Sequence, residues 1–183
     1  PPPPPPPPPP LLYICSADLR DLHYGVGRER DFCICEIFVS ELLSIGNWEV
    51  CRKSNGNTVI LSVGPQVFDS LKAAENMSEK GIECEVVNCR FIKPMDSAYL
   101  KSIIERFDNV VTIEEGVKTG GFGEGVAAWL ATNGYKGNID IISLPDEFVE
   151  HGPRDLLLEK WGVNQKGIEE VILNENKTVK LQY

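Results

Sequence analysis

Histidine is almost absent from this chain: His23 and His151 are the only two. No Ser or Cys lies in a sharp strand-to-helix elbow that either could serve, which argues against a hydrolase built on an activated nucleophile. Basic clusters are missing too. The net charge is −9, and no run of Lys or Arg supplies the many cationic contacts on which binding to a phosphate backbone rests, so nucleic acid is not the expected partner. No stretch approaches the ~20 apolar residues that span a bilayer, and no basic segment followed by an apolar one opens the chain. The expectation is a soluble chain of the cytosol or an organelle. The six cysteines do not form a disulfide framework of the small secreted kind. Cys84 and Cys89 fall in an apolar run and are expected in the core as reduced thiols. Cys33 and Cys35 have one residue between them instead of the two to four of a zinc knuckle, and no second pair completes four ligands. No metal site is expected.

Proline is scarce outside one place. Ten of the fourteen prolines are the unbroken run 1–10, leaving Pro65, Pro94, Pro145 and Pro153. Such a run forms a polyproline II rod with ~3.1 Å rise per residue. It suits a linker or an SH3-type ligand, although no basic residue flanks it. An artefact, or a stretch of unknown identity written as proline, fits its abrupt end better. With 42% hydrophobic and 25% charged residues, the rest has the composition of an ordinary globular domain.

Three zones follow: residues 1–10, a poorly patterned join over 11–41, and a regular domain over 42–183. In the last, residues 46–51 (GNWEVC) alternate as a strand and 54–57 (SNGN) read as a turn. Residues 58–63 (TVILSV) form a short buried strand closed by Gly64-Pro65. Val67, Leu71, Ala74 and Met77 then recur at helical spacing until Lys80-Gly81. The unit repeats. Strand 84–89 leads to a helix capped by Asp96 and running to about Phe107. Strand 109–113 leads through a glycine-rich turn to a helix through Leu130, and strand 139–143 to helices opening at Pro153 or Arg154 and spanning 166–174. Val- and Ile-rich strands alternating with helices imply a mostly parallel sheet between two helical layers. The predicted fold is a three-layer α/β/α sandwich whose sheet has about five strands, the Trp48 strand adding an antiparallel edge.

Ligands of open parallel sheets sit beyond the carboxyl ends of the strands, which selects four loops. Gly64-Pro65 offers either backbone N–H groups to an anion or a plain tight turn. In the second loop Arg90 follows a buried strand, where its planar fork suits a phosphate or carboxylate. An ion pair with a neighbouring acid such as Glu114 or Glu115 is the alternative. The third loop carries Glu114, Glu115, Gly116, Gly120, Gly121 and Gly123. It lacks the third glycine of G-x-G-x-x-G and the lysine of a P-loop, so its glycines are expected to permit a close approach of a helix to the sheet or to a partner. Glu114 and Glu115 form a candidate acid–base pair, but adjacent residues after a strand point apart, so one is expected to face a partner or solvent. In the fourth loop His151 is expected to act as a capping or interface residue more than as a base, having no orienting partner in the sequence.

The strings VILSVG (59–64), RFIKPMD (90–96), TIEEG (112–116) with GGFG (120–123), and LPDEFVEHG (144–152) occur in this order. Together they resemble the C-terminal domain of the transketolase-like thiamine diphosphate enzymes, and within them the deoxyxylulose phosphate synthases. The resemblance covers about residues 42–174. It implies one domain of a transferase that condenses pyruvate with glyceraldehyde 3-phosphate, releases carbon dioxide and feeds isoprenoid synthesis by the non-mevalonate route. It also implies thiamine diphosphate and magnesium held by the domains upstream, with none bound to this chain, and a homodimer in the full-length enzyme. The compartment would be the bacterial cytoplasm, or a plastid in a plant or alga. Arg90 would bind the substrate phosphate, and Glu114, Glu115, Gly120, Gly121, Gly123 and His151 would lie at an interface or site rim. No catalytic residue is expected in this chain. The G-D-G with distal Asn that ligates magnesium and diphosphate is missing, as is a pyrimidine-domain glutamate. Upstream of the match, residues 19–27 (LRDLHYGVG) depart from the family's R-Y-P-R-G-like string. The chain alone is therefore expected to be inactive. A 2-oxo acid dehydrogenase β subunit, a transketolase, or a non-catalytic interaction domain are the alternatives.

Overall fold

The computed structural model describes residues 44–180, with side chains through Asn174. The expectations for His23, Cys33, Cys35 and the rest of 1–41 lie outside the described residues. Ten elements follow in order: β1 (Glu49–Arg52), β2 (Thr58–Ser62), α1 (Gln66–Glu79), β3 (Cys84–Asn88), α2 (Ser97–Arg106), β4 (Asn109–Val117), α3 (Phe122–Thr132), β5 (Asn138–Leu144), α4 (Arg154–Lys160) and α5 (Gln165–Lys180). The strands form one sheet in the order β1-β3-β2-β4-β5. β1 runs antiparallel to β3 and every other pair is parallel.

β2 reads TVILS and is buried along its whole length, as expected of a central parallel strand covered on both faces. Its side chains alternate between the two helical layers. Ile60 packs with Ala73, Ala74 and Met77 of α1 and with Ile168 and Ile172 of α5. Val59 and Leu61 pack with Leu100 and Ile103 of α2 and with Val126 and Leu130 of α3. Each such side chain contributes about 1.5–3 kcal/mol on burial, and the three-layer sandwich follows from satisfying both faces at once. Cys84 and Cys89 are core residues outside any disulfide.

The sheet also carries a buried charge. Glu85 is 1% exposed on the α2 face; it accepts from Tyr99 Oη at 2.5 Å, Arg106 Nη2 at 2.6 Å and the Ser54 amide at 3.3 Å. A carboxylate this deep is tolerable only when so supplied with donors. Burial, reinforced by the contact with Glu85, pushes the Tyr99 hydroxyl far above the usual tyrosine range.

Two boundaries differ from the sequence expectation. α5 continues to Lys180 instead of ending at Asn174. β4 continues to Val117, so Glu114 and Glu115 belong to a strand and not to a loop. Hydrophobic periodicity stops at Ile113, but Val117 still pairs with Leu144 after a shift in register. Strand pairing, not apolarity, sets where β4 ends.

Candidate functional site at the carboxyl ends of the strands

From β2 the chain crosses to β3 on one side, then back across β2 to β4 on the other. The carboxyl ends of β2 and β4 therefore flank the point where strand order reverses, the usual ligand position in such sheets. At the end of β2, Gly64 has φ 63°, and the Val67 and Phe68 amides donate to the Gly64 and Pro65 carbonyls at 3.3 and 3.1 Å. Two of the N–H groups that an anion would need are committed to the turn. Gln66, the first residue of α1, is 1% exposed and donates Nε2–H to Glu115 Oε1 at 3.0 Å. Its own Oε1 has no partner.

Beyond β3, Arg90 lies on the surface. Among the described residues its ion-pair partner is Glu49 of β1, with Nη1 3.7 Å from Oε2. The ion pair foreseen with Glu114 or Glu115 is not formed; the antiparallel edge strand brings a different carboxylate alongside. The base of the loop is held by Trp48, whose indole N–H donates to the Phe91 carbonyl at 2.9 Å. The Trp48 amide donates to Asp96 Oδ2 at 3.0 Å while Asp96 Oδ1 caps α2 through the Tyr99 amide at 2.9 Å. The Trp48 ring sits 6.0 Å from Tyr99 and 5.8 Å from Phe122. The Asp96 cap was legible from local sequence. The part played by Trp48 was not, because its partners lie more than forty residues away.

At the end of β4 the two glutamates diverge. Glu114 is buried and accepts from the Phe122 amide at 2.9 Å and the Gly123 amide at 2.8 Å. It replaces the N-cap side chain that Gly121 lacks, and a carboxylate there also suits the positive end of the helix dipole. The glycines follow from this. A Cβ at Gly116 or Gly121 would approach the Glu114 oxygens to 2.8 or 2.7 Å, and one at Gly123 would meet Thr112 Oγ1 at 2.5 Å and Ile141 Cγ2 at 2.6 Å. Gly120 sits at φ 74°, a conformation that disfavours other residues. At Gly123 the close approach is therefore of helix to sheet.

Glu115 turns the other way, to α4. Arg154 donates to it from Nε at 3.0 Å and also from Nη2. This guanidinium, with Gln66 assisting and burial opposing, holds the Glu115 carboxyl below its usual range. An ionised, doubly engaged carboxylate is a poor general base. The two glutamates do not face a shared reacting atom. Parallel pairing of β4 with β5 brings their carboxyl-end loops together, and that was the available signal for Arg154. His151 is exposed in the β5–α4 loop and makes no hydrogen bond among the described residues.

The amides opening α3 are where a diphosphate would sit, but Glu114 occupies them. Among the described residues no group of three or more His, Cys, Asp or Glu could hold a metal ion. The described residues thus fit neither thiamine diphosphate nor its magnesium. No described helix is long and apolar enough to cross a membrane.

Residues 46–168 match the family model "Transketolase, C-terminal domain". The chain is 38% identical over 130 residues to the 1-deoxy-D-xylulose-5-phosphate synthase of Aquifex aeolicus (strain VF5), a match covering 71% of this chain and 20% of the relative. It is 43% identical over 119 residues to the same enzyme of Lysinibacillus sphaericus (strain C3-41), covering 64% and 19%. The chain thus spans about a fifth of the length of these relatives. Among solved structures, a split-gene transketolase described as an inactive β4 tetramer matches 74% of this chain and 44% of its own, with TM-score 0.68 and 26% identity. Transketolase from Campylobacter jejuni, at TM-score 0.53 and 16% identity over 70% of this chain and 18% of its own, shares the fold. Sheet order, the capped glycine turn and these matches agree, and the chain belongs to the transketolase C-terminal domain family.

Proposed function

We propose that this chain is the C-terminal domain of a 1-deoxy-D-xylulose-5-phosphate synthase, and that within the whole enzyme Arg90 binds the phosphate of glyceraldehyde 3-phosphate. The observation that carries the assignment of Arg90 is its position. It stands just beyond the carboxyl end of β3 on a loop pinned at both ends by Trp48 and Asp96, with a single ion-pair contact, at 3.7 Å, among the described residues. A guanidinium so lightly held keeps its fork available for bidentate contact with phosphate oxygens. Thiamine diphosphate, when bound, supplies the carbanion chemistry of such transferases, and the reading assigns it, with magnesium, to domains upstream. This chain contributes phosphate recognition and packing against those domains and a twofold mate, and is inactive alone.

The test is reconstitution with the thiamine-binding domains of a relative. Turnover should appear only in the combined protein, and Arg90→Ala should raise KM for glyceraldehyde 3-phosphate with little change in KM for pyruvate. An unchanged KM for the phosphorylated substrate would remove Arg90 from the site. Tight magnesium-dependent binding of thiamine diphosphate to this chain alone would refute the division of labour.

A second reading draws on the split-gene transketolase: a domain that works with a catalytic partner encoded separately. Recovery of a thiamine-binding partner chain on purification would favour it over a single-chain synthase.

A further inference from the structure

All six large apolar side chains that stand exposed among the described residues lie at one end of the sheet. Phe68 is in the first turn of α1, just after β2, and Ile92 is in the loop after β3. Val117 ends β4, Phe148 is in the loop after β5, and Leu156 is in the first turn of α4. Ile45 precedes β1, which runs antiparallel to β3 and so starts at the same end. Beside it, a Cβ on Gly46 would lie 3.1 Å from Pro94 Cγ of the β3–α2 loop. The opposite end of the sheet has no such side chain among the described residues. Scattered exposed apolar residues are ordinary, whereas a set gathered on one face marks an interaction surface.

Charge on this face is segregated. The loop after β5 exposes Asp146, Glu147 and Glu150. The loop after β3 exposes Arg90 and Lys93, with Glu49 offsetting one of the two positive charges. Between these loops Arg154 is already paired with Glu115 and Asp155. In the strand order β1-β3-β2-β4-β5, β3 and β5 stand symmetrically about the gap between β2 and β4. A twofold axis through that gap, in the plane of the face, sets the basic loop of one copy on the acidic loop of the other, twice over. It also brings Ile92 over Phe148. Such self-complementarity is what an isologous dimer needs. Five strands about 4.8 Å apart and three layers about 10 Å thick give a face of roughly 700 Å², near the ~800 Å² per partner of a standard interface.

We propose that two copies of this chain pair through their carboxyl-end faces about a twofold axis, Lys93 of each copy against Glu147 of the other and Phe148 of each against Ile92. The pairing covers Arg90, so it belongs to the chain by itself and not to the whole enzyme of the phosphate reading above.

Sedimentation equilibrium of the whole chain at ~0.15 M salt tests this. A monomer–dimer equilibrium in the micromolar range is expected, the weak end for an interface of this area, because the face is loop-rich and polar. Lys93→Glu and Glu147→Lys each set like charges together at both loop contacts and should weaken pairing about tenfold. An equimolar mixture of the two variants should regain the lost affinity, because the heterodimer again pairs opposite charges at both contacts. Phe148→Ser, at a side chain 96% exposed, should weaken pairing about tenfold without disturbing the fold. Lys136→Glu makes the same change of charge in the exposed α3–β5 loop at the opposite end and should alter nothing. A monomer up to roughly 1 mM, association untouched by Phe148→Ser, an equal loss on Lys136→Glu, or a mixture no tighter than either charge variant alone would each overturn the proposal. A monomer that instead binds the thiamine-binding domains of a relative, and loses them on Phe148→Ser, would overturn it by assigning this face to those domains. None of these readouts involves turnover, so their failure leaves the phosphate reading of Arg90 standing.

Discussion

The β4–α3 junction and the loop between β3 and α2 each have a charged side chain near the carboxyl end of a strand, and the two charges have opposite fates. Glu114 of β4 is buried, with both oxygens bonded to the backbone amides that open α3 after the turn. Arg90 is exposed and has, among the described residues, one acid at 3.7 Å. In the first region the charge builds the fold; in the second the fold builds a platform for the charge. The glycine-rich turn draws the eye in the sequence, yet its atoms are mutually saturated. Availability of the charged group, not local oddity of sequence, separates a structural turn from a candidate binding loop.

The comparison breaks first at the platform. Trp48→Ala removes a ring packed on Tyr99 and Phe122 and the donor to Phe91, and should cost about 4 kcal/mol of unfolding free energy, as for other buried aromatics. Trp48→Phe, which keeps most of the packing, should cost about 1 kcal/mol, the loss of one hydrogen bond. Urea denaturation measures both. Equal losses would mean the indole N–H, not the ring, holds the loop. Next in size, Glu114→Ala leaves two buried amides without an acceptor and should cost about 3 kcal/mol, given about 1.5–3 for each hydrogen bond to a charged group and incomplete additivity. Glu114→Gln keeps one accepting oxygen and should fall between. A loss under about 1 kcal/mol for Glu114→Ala would mean that the turn does not depend on its cap.

A smaller effect separates Glu115 from its neighbour. Its carboxyl is held low by Arg154, so this pairing stabilises the folded chain above the unfolded carboxyl value, about 4.3. The contribution is lost as pH falls through the lower folded value. Arg154→Ala should therefore lower the urea midpoint slightly at pH 7, by less than either change above because the pair is partly exposed and exposed pairs contribute little. The gap should close below the carboxylate range. A gap that persists in acid would assign the effect to packing of Arg154 and not to charge.

What the sequence made legible was local. Continuous apolar runs located the central strands, helical spacing located α1, Gly81 its end, and Asp96 the start of α2, because each signal lies within a few residues of its effect. Legibility stopped where the partner is distant. For Arg90 the sequence offers Glu114 or Glu115, two strands away, as the alternative to a ligand, because nothing in it says that β1 joins the sheet beside β3. Arg154 opens α4 as its sequence context predicts, but its closure onto Glu115, thirty-nine residues away, has no local signal. The end of β4 was placed at Ile113 because polarity began there, whereas the Val117–Leu144 pairing carries the strand onward.

The smallest stability effect belongs to Arg90, and its smallness is what makes it informative. If Arg90 serves the fold, Arg90→Ala should release Glu49 and disturb the β1–β3 edge; if it serves a ligand, stability should be nearly untouched. With one exposed contact at 3.7 Å, the expected change is within about 0.5 kcal/mol, typical of surface substitutions. The same substitution in the reconstituted enzyme removes a charge-assisted contact to phosphate and should raise KM for glyceraldehyde 3-phosphate about tenfold or more. Arg90→Lys keeps the charge but loses the planar fork, so it should recover only part of that affinity. A stability loss comparable to that of Glu114→Ala would place Arg90 with the structural charges and erase the distinction between the two loops.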